Sequence, residues 1–218
     1  MLRRPIRLAM LAVAAMLLTP ALAGATTLTP AGDVLDFGSQ ASSLVMQGGF
    51  AITRCTVDLG AARIPAAPGN SNPSGPLGVT LSSNPSFTGC TSTGGWTVNV
   101  TTTGGWSATF GWGSPIAAAV NAPARGVTVT FSSGGSMLCQ ATNGAAGSAT
   151  GSWQNGSTSP FADSTASLAG SLPVTWTGAP GVDVATCRTT FGSSISLNAA
   201  SVPVRDATNP GAVILVGP

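Results

Sequence analysis

The chain has 218 residues, eight basic and six acidic side chains, a net charge of +2 and only 6% charged residues. It contains no Lys, Glu, His or Tyr. These absences remove most general acids and bases, and with them the Ser–His–Asp and Cys–His arrangements of nucleophilic catalysis.

The first 23 residues read as a secretory signal peptide. Arg3, Arg4 and Arg7 give a positive start, Leu8–Leu18 an apolar stretch, and Ala21-Leu22-Ala23 a small-residue site that places the cut after Ala23. The apolar stretch is shorter than the ~20 residues a membrane span needs. After its removal five arginines face six aspartates, so the positive balance belongs to the signal peptide. No basic patch remains for nucleic acid or an anionic membrane surface. Residues 24–218 predict a single secreted domain.

Pro65, Pro68, Pro73 and Pro76, interleaved with Gly and Asn, predict an irregular surface loop over 65–76. Strand signals follow, each an alternation of apolar and polar residues. Trp96, Val98 and Val100 share one face, as do Trp106, Ala108, Phe110 and Trp112. Thr103-Gly104-Gly105 between them predicts a hairpin. Val127, Val129 and Phe131 form the next strand, and Ser132–Ser136 a turn. Asn155-Gly156 carries the strongest two-residue hairpin signal. Leu172, Val174 and Trp176, then Ile195 and Leu197, repeat the alternation. Ala212–Val216 is a continuous apolar run and predicts a buried closing strand. No segment after Ala23 sustains a helical period, and strong helix formers are scarce. The expected fold is all-β, an antiparallel β-sandwich with a closed β-barrel as the alternative.

Cys55, Cys90, Cys139 and Cys187 are 35, 49 and 48 residues apart, with no C-x-x-C pair and no His, which disfavours zinc. In an oxidising compartment two disulfides are expected. Spacing alone leaves three pairings open. We favour Cys55–Cys90 and Cys139–Cys187, because each brackets one loop-rich excursion, 65–76 and 144–159.

Phe87-Thr88-Gly89-Cys90, Trp96-Thr97-Val98 and Gly151-Ser152-Trp153-Gln154-Asn155-Gly156 resemble segments of a group of small secreted proteins from high-GC Gram-positive bacteria. The likeness covers roughly Cys55–Cys187; the 65–76 loop and the region after Cys187 depart from it. The resemblance implies an all-β fold and an extracellular location, and it assigns no activity and no site residue.

Candidate site residues are few. The six aspartates are scattered, and Asp33 with Asp36, the only close pair, suits a turn or strand edge better than a carboxylate dyad. No calcium-loop pattern occurs, and no metal or cofactor is expected. Trp96, Trp106, Trp112 and Trp176 lie on apolar faces and predict core. Trp153, among Gly, Ser, Gln and Asn, is the tryptophan expected at the surface and is the candidate binding residue. Asn99-Val100-Thr101 and Asn155-Gly156-Ser157 match a glycosylation sequon, and the second is better explained by its turn.

The sequence therefore predicts a secreted or cell-surface, non-catalytic binding or structural domain. Its partner would be an envelope component or polysaccharide. The alternatives are a carbohydrate-binding module using exposed Trp, a secreted inhibitor presenting the 65–76 loop, and an outer-membrane pore.

Overall fold

The computed structural model describes residues 24–38, 43–47 and 49–218. The signal segment and its cut after Ala23 lie outside them. In chain order the strands are β1 (Thr26–Thr29), β2 (Val34–Phe37), β3 (Ser43–Gln47), β4 (Thr53–Asp58), β5 (Gly60–Arg63), β6 (Ser71–Asn72) and β7 (Leu77–Thr80). Next come β8 (Ser86–Ser92), β9 (Thr97–Thr102), β10 (Ser107–Gly111), β11 (Ile116–Ala122), β12 (Val127–Ser133), β13 (Ser136–Asn143) and β14 (Gly147–Gln154). β15 (Ser157–Thr158), β16 (Phe161–Ala162), β17 (Ser164–Gly178), helix α1 (Val184–Phe191), β18 (Ser194–Asp206) and β19 (Leu215–Gly217) complete the chain. The all-β class is as expected.

The pairings describe a ring. β5, β2, β18, β17, β14, β11, β10 and β7 hydrogen-bond in that order, and a bridge between Ala62 and Leu81 brings the two ends together. A second set follows the same path. β3 pairs β18, β17 pairs β13, β13 pairs β12, β12 pairs β9, and β4 pairs β8. β4 also lies against β3, and β8 against β9. The two sets match position by position: β2 leads into β3, β4 into β5, β7 into β8, β9 into β10, β11 into β12 and β13 into β14. Only β17 and β18 run through both sets, pairing from Ser164–Val204 to Pro173–Ser194. The result is an up-and-down, nearly closed barrel of eight staves, six of them broken at the waist. It follows the barrel alternative more closely than two separate facing sheets.

The two-residue period sets inside and outside. On β12, Val127, Val129 and Phe131 are buried while Thr128, Thr130 and Ser132 face outward. On β10, Ala108 and Phe110 are buried between Ser107 and Thr109. The interior is a packed apolar core, each fully buried Phe or Leu contributing roughly 1.5–3 kcal/mol. Outside, hydroxyls and amides bond across strands. Thr128 and Thr142 share a bond of 3.2 Å, and Asn121 donates to Thr109 at 2.9 Å and accepts from Ser148 at 2.6 Å. This ladder keeps a surface with few charges polar.

β1, β19 and β6 close one end, burying Leu28, Ile214 and Val216 completely. The 212–216 run does close the barrel, though the strand itself spans Leu215–Gly217. β6 interrupts the Pro-rich loop, and buried Asn70 donates to Leu28 O at 2.8 Å to hold it.

Helix α1 closes the other end and corrects the expectation of a helix-free domain. Asp183 caps it by accepting from Ala185 N, and the Gly192 N–H bonds Arg188 O at 2.8 Å. Two further anchors replace intrinsic propensity. Cys187 is tied to Cys139, and Phe191 enters the core, stacking on Phe131 at a centroid distance of 3.7 Å.

Two turn expectations are also corrected. Thr103–Gly105 does not form a hairpin, because β9 pairs β12 while β10 pairs β7 and β11. The segment is one of the waist crossings, with Thr103 N bonding Gly126 O at 3.0 Å. Asn155-Gly156 is likewise no two-residue loop. β14 pairs β17 through Gln154–Thr165, and a small β15–β16 hairpin lies between them. The 132–136 turn is tight: Ser133 pairs Ser136, and Gly134 and Gly135 supply φ of +57° and +82°, the left-handed pair a primed turn requires.

Candidate functional site

The four cysteines form two disulfides, Cys55–Cys90 and Cys139–Cys187. The first joins β4 to β8 along the barrel wall, and the second fixes α1 to β13. The thiols are consumed structurally, and none is left free.

Trp153 is not a surface residue. It is 3% exposed and faces inward in register with Ala149 on the same strand. Its ring packs edge-on against Phe110 at 5.2 Å. Its indole donates to Asn155 Oδ1 at 2.8 Å, and that oxygen also accepts from Val216 N at 2.8 Å. Asn155 Nδ2 in turn donates to Val216 O at 2.9 Å. The polar neighbours of Trp153 thus reflect an outward face of Ser and Gln and a tether for the closing strand. Gly151 sits where a Cβ would collide with the Ser167 carbonyl, so the flanking position had to be glycine. The other four tryptophans are buried or half-buried. Trp96, Trp176, Phe131 and Phe191 form one aromatic cluster under α1.

The exposed aromatic side chains are phenylalanines. Phe50 is 84% exposed and Phe161 50%. Phe50 projects from the turn after β3. A Cβ at Gly49 would clash with the backbone of Thr190–Gly192, so glycine lets this turn lie flat on the last turn of α1. Ala51 N then bonds Thr190 O at 2.8 Å and aims the Phe50 ring outward. Beside it, Arg188 stands between two shallow hollows of about 460 and 480 Å³. The first is lined by Phe50, Thr189 and Ser193, the second by Trp176, Val184 and Pro173. Val184 is itself 44% exposed. The helix-capped end therefore presents apolar groups on both sides of one cation. Sequence reasoning missed this surface, because Phe50 stands alone in a Gly-rich stretch and α1 had no periodic signal.

A second cluster lies near the opposite end. Arg205 donates to Asp163 at 2.8 Å and sits across from Asp36 in the β18–β2 register. Asp36, Asp163, Asp206 and Phe161 share a hollow of about 350 Å³ with it. Burial, and then the Asp58 carboxylate, push the Asp36 carboxyl above the usual range, with Arg205 opposing. The hydrogen bond and charge of Asp163 hold the Arg205 proton more firmly than usual. Asp33 does not join this group and accepts from Asn209 instead. Asp206 Oδ1 accepts from Thr208 N and Asn209 N, which spends it on a local turn. The cluster contains no nucleophile beside a base, and Asp206 in it is only 3% exposed, its Oδ2 without a hydrogen-bond partner in the protein.

Among the described residues no helix is long and apolar enough to cross a membrane. Comparison with protein-family models, curated proteins and solved structures finds no match to this chain.

Proposed function

We propose that the protein is an exported, extracellular, non-catalytic binding domain whose contact surface is the helix-capped end of the barrel. The observation that carries the reading is Phe50, a fully presented aromatic ring held beside Arg188 by glycine-dependent packing on α1. Aromatic rings and arginines are the residue types enriched at protein interfaces, and here one of each stands side by side at the surface. The two disulfides support an oxidising compartment, and the sequence start supports export. The absence of His, Glu and Lys supports a non-catalytic role.

The alternatives find less support. Three tryptophans are buried and Trp96 and Trp112 are half-buried, so no tryptophan presents a fully exposed ring for a carbohydrate platform. The 65–76 loop is pinned by Asn70 and β6, and none of its side chains is a large exposed apolar anchor. A lipid-embedded barrel needs an apolar outside, whereas here the hydroxyl-bearing face is outside and the apolar face inside.

The test compares wild-type protein with Phe50→Ala and Arg188→Ala in sedimentation with envelope and polysaccharide fractions of the producing cell. Binding should fall at least tenfold in Phe50→Ala at unchanged melting temperature. Equal sedimentation of wild type and both variants would discard this surface.

A further inference from the structure

The exposed apolar side chains are not spread evenly over the barrel. Six large ones stand out among the described residues, and four of them, Phe50, Ile52, Met137 and Val184, belong to the helix-capped end. The topology puts them there. The β3–β4, β8–β9 and β12–β13 connections, and the α1 segment between β17 and β18, all leave the barrel at this end. Backbone bonds tie these segments together. Ile52 N donates to Thr93 Oγ1 at 2.9 Å, and Thr93 N donates to Ile52 O at 3.0 Å. Ala51 N bonds Thr190 O, and Ala179 N bonds Leu138 O at 2.9 Å. Two of the segments set a cation beside an apolar group. Ile52 and Arg54 flank buried Thr53 and are both exposed, as alternation along a strand dictates. Val184 and Arg188, one turn apart on α1, are also both exposed.

Charge is divided along the same axis. The helix-capped half carries Arg54 and Arg188 against Asp183 alone, and Asp183 is engaged in capping α1. The other half carries Asp33, Asp36, Asp163 and Asp206 against Arg63 and Arg205, while Asp58 and Arg125 lie at the waist. The domain thus has a positive tip studded with apolar groups and a negative base. The overall count of five arginines against six aspartates conceals this polarity.

The combination selects a partner. The four apolar side chains come from separate segments and stand as projections, and the hollows beside Arg188 are shallow. A folded partner needs a matching relief for each projection. A lipid interface moulds itself around them: apolar groups reach the acyl boundary while guanidinium heads stay among the headgroups. Anionic headgroups attract the tip and repel the base, so charge also decides which end approaches.

We propose that the helix-capped end docks on an anionic phospholipid surface, with Phe50, Ile52, Met137 and Val184 entering the boundary between headgroups and acyl chains and Arg54 and Arg188 pairing with headgroup phosphates. This rests on the assignment of that end as the contact surface and names its partner. The attachment is peripheral, and the barrel wall with its hydroxyl-bearing face stays in water.

The experiment is cosedimentation of the exported, oxidised protein with two sets of vesicles, one of phosphatidylcholine alone and one an equal mixture of phosphatidylcholine and phosphatidylglycerol. Binding to the mixed vesicles should be about tenfold or more the tighter, the product of two cations worth about fivefold each at an anionic surface. Arg54→Gln and Arg188→Gln should each lose about fivefold on the mixed vesicles, and added salt should weaken the wild type. Phe50→Ala should lose about tenfold or more. Phe161→Ala, which removes the exposed ring of the base, should bind as the wild type does. Phe50→Trp should emit further to the blue on the vesicles and be quenched by lipids brominated on their acyl chains, and Phe161→Trp should show neither effect. No binding to mixed vesicles, equal binding to both sets, equal losses in Phe50→Ala and Phe161→Ala, or a Phe50→Trp emission that vesicles leave unchanged would each overturn the proposal. If lipid-extracted envelope material still binds in a Phe50-dependent way while vesicles do not, the partner is a protein or polysaccharide: the lipid proposal falls and the contact surface stands. Loss of Phe50 dependence in every fraction removes both.

Discussion

Replacing Asn155 with Ala tests whether this side chain, rather than the short ladder of β19, holds the closing strand. The substitution removes three hydrogen bonds: the acceptor for Trp153 Nε1 at 2.8 Å, the acceptor for Val216 N at 2.8 Å and the donor to Val216 O at 2.9 Å. Each neutral bond is worth about 1 kcal/mol net, and a buried group left unpaired costs about 1–3 kcal/mol. The Trp153 indole belongs to a side chain only 3% exposed, while Asn155 is half-buried, so water can rescue part of the loss. The expected destabilisation is about 3 kcal/mol, large against the ~5–15 kcal/mol of a typical domain. Urea unfolding followed by tryptophan fluorescence measures it. Trp153→Phe supplies the second corner of a double-mutant cycle, and the two substitutions should couple by about 1 kcal/mol because they share one bond. Hydrogen exchange at the Val216 amide should accelerate in Asn155→Ala. A cost under about 1 kcal/mol, together with unchanged exchange at Val216, would show that the apolar burial of Ile214 and Val216 suffices and that the tether is incidental.

Three further outcomes are expected. Replacing both Cys139 and Cys187 with Ser should cost up to about 4 kcal/mol on the chain-entropy account of a loop with a separation of 48 residues, and should reduce the helical component of the circular dichroism spectrum as α1 detaches. Gly151→Ala should cost about 3 kcal/mol or more, because its Cβ meets the Ser167 backbone and must spread β14 from β17; thermal melting reads this directly. Asp36 has a raised folded-state pKa, so the native state holds its proton longer than the unfolded chain and stability declines as pH rises from the unfolded to the folded pKa. Asp36→Asn should flatten that decline in a pH series of urea midpoints, and an unchanged slope would contradict the burial-driven shift.

What the sequence showed and what it hid divide along physical lines. The 127–131 and 106–112 alternations report a face buried against one core, so their inward residues were legible. The number of disulfides was legible from four cysteines without a zinc pattern, whereas their pairing was a choice among three that only the approach of β4 to β8 and of α1 to β13 decides. Strand partnership was not: Thr103–Gly105 has the composition of a hairpin loop, yet the chain there crosses between the halves of a stave, and only the tertiary arrangement distinguishes the two. Trp153 was misplaced because a half-buried strand in this protein uses Ser, Thr and Gly outside and alanine or glycine beside a large ring inside, which erases the apolar contrast. Helix α1 lacks Glu and Lys and an apolar stripe; a cap, a disulfide and one phenylalanine hold it instead. The Phe50 surface depends on contacts between residues distant in sequence, Gly49 and Ala51 with Thr190, which no local pattern encodes.

The antiparallel pairing of β1 with β19 places Thr27 beside Gly217 and Thr29 beside Leu215. Tension applied between the two ends of the described chain therefore loads these bonds one after another, in the manner of a zipper, rather than all at once in shear. The closing sheet yields first and at low force. Beyond it the load reaches staves crosslinked at Cys55–Cys90 and Cys139–Cys187, which shorten the length of chain that stretching can release. The opposite end, with α1 and Phe50, keeps its form while the closing sheet opens.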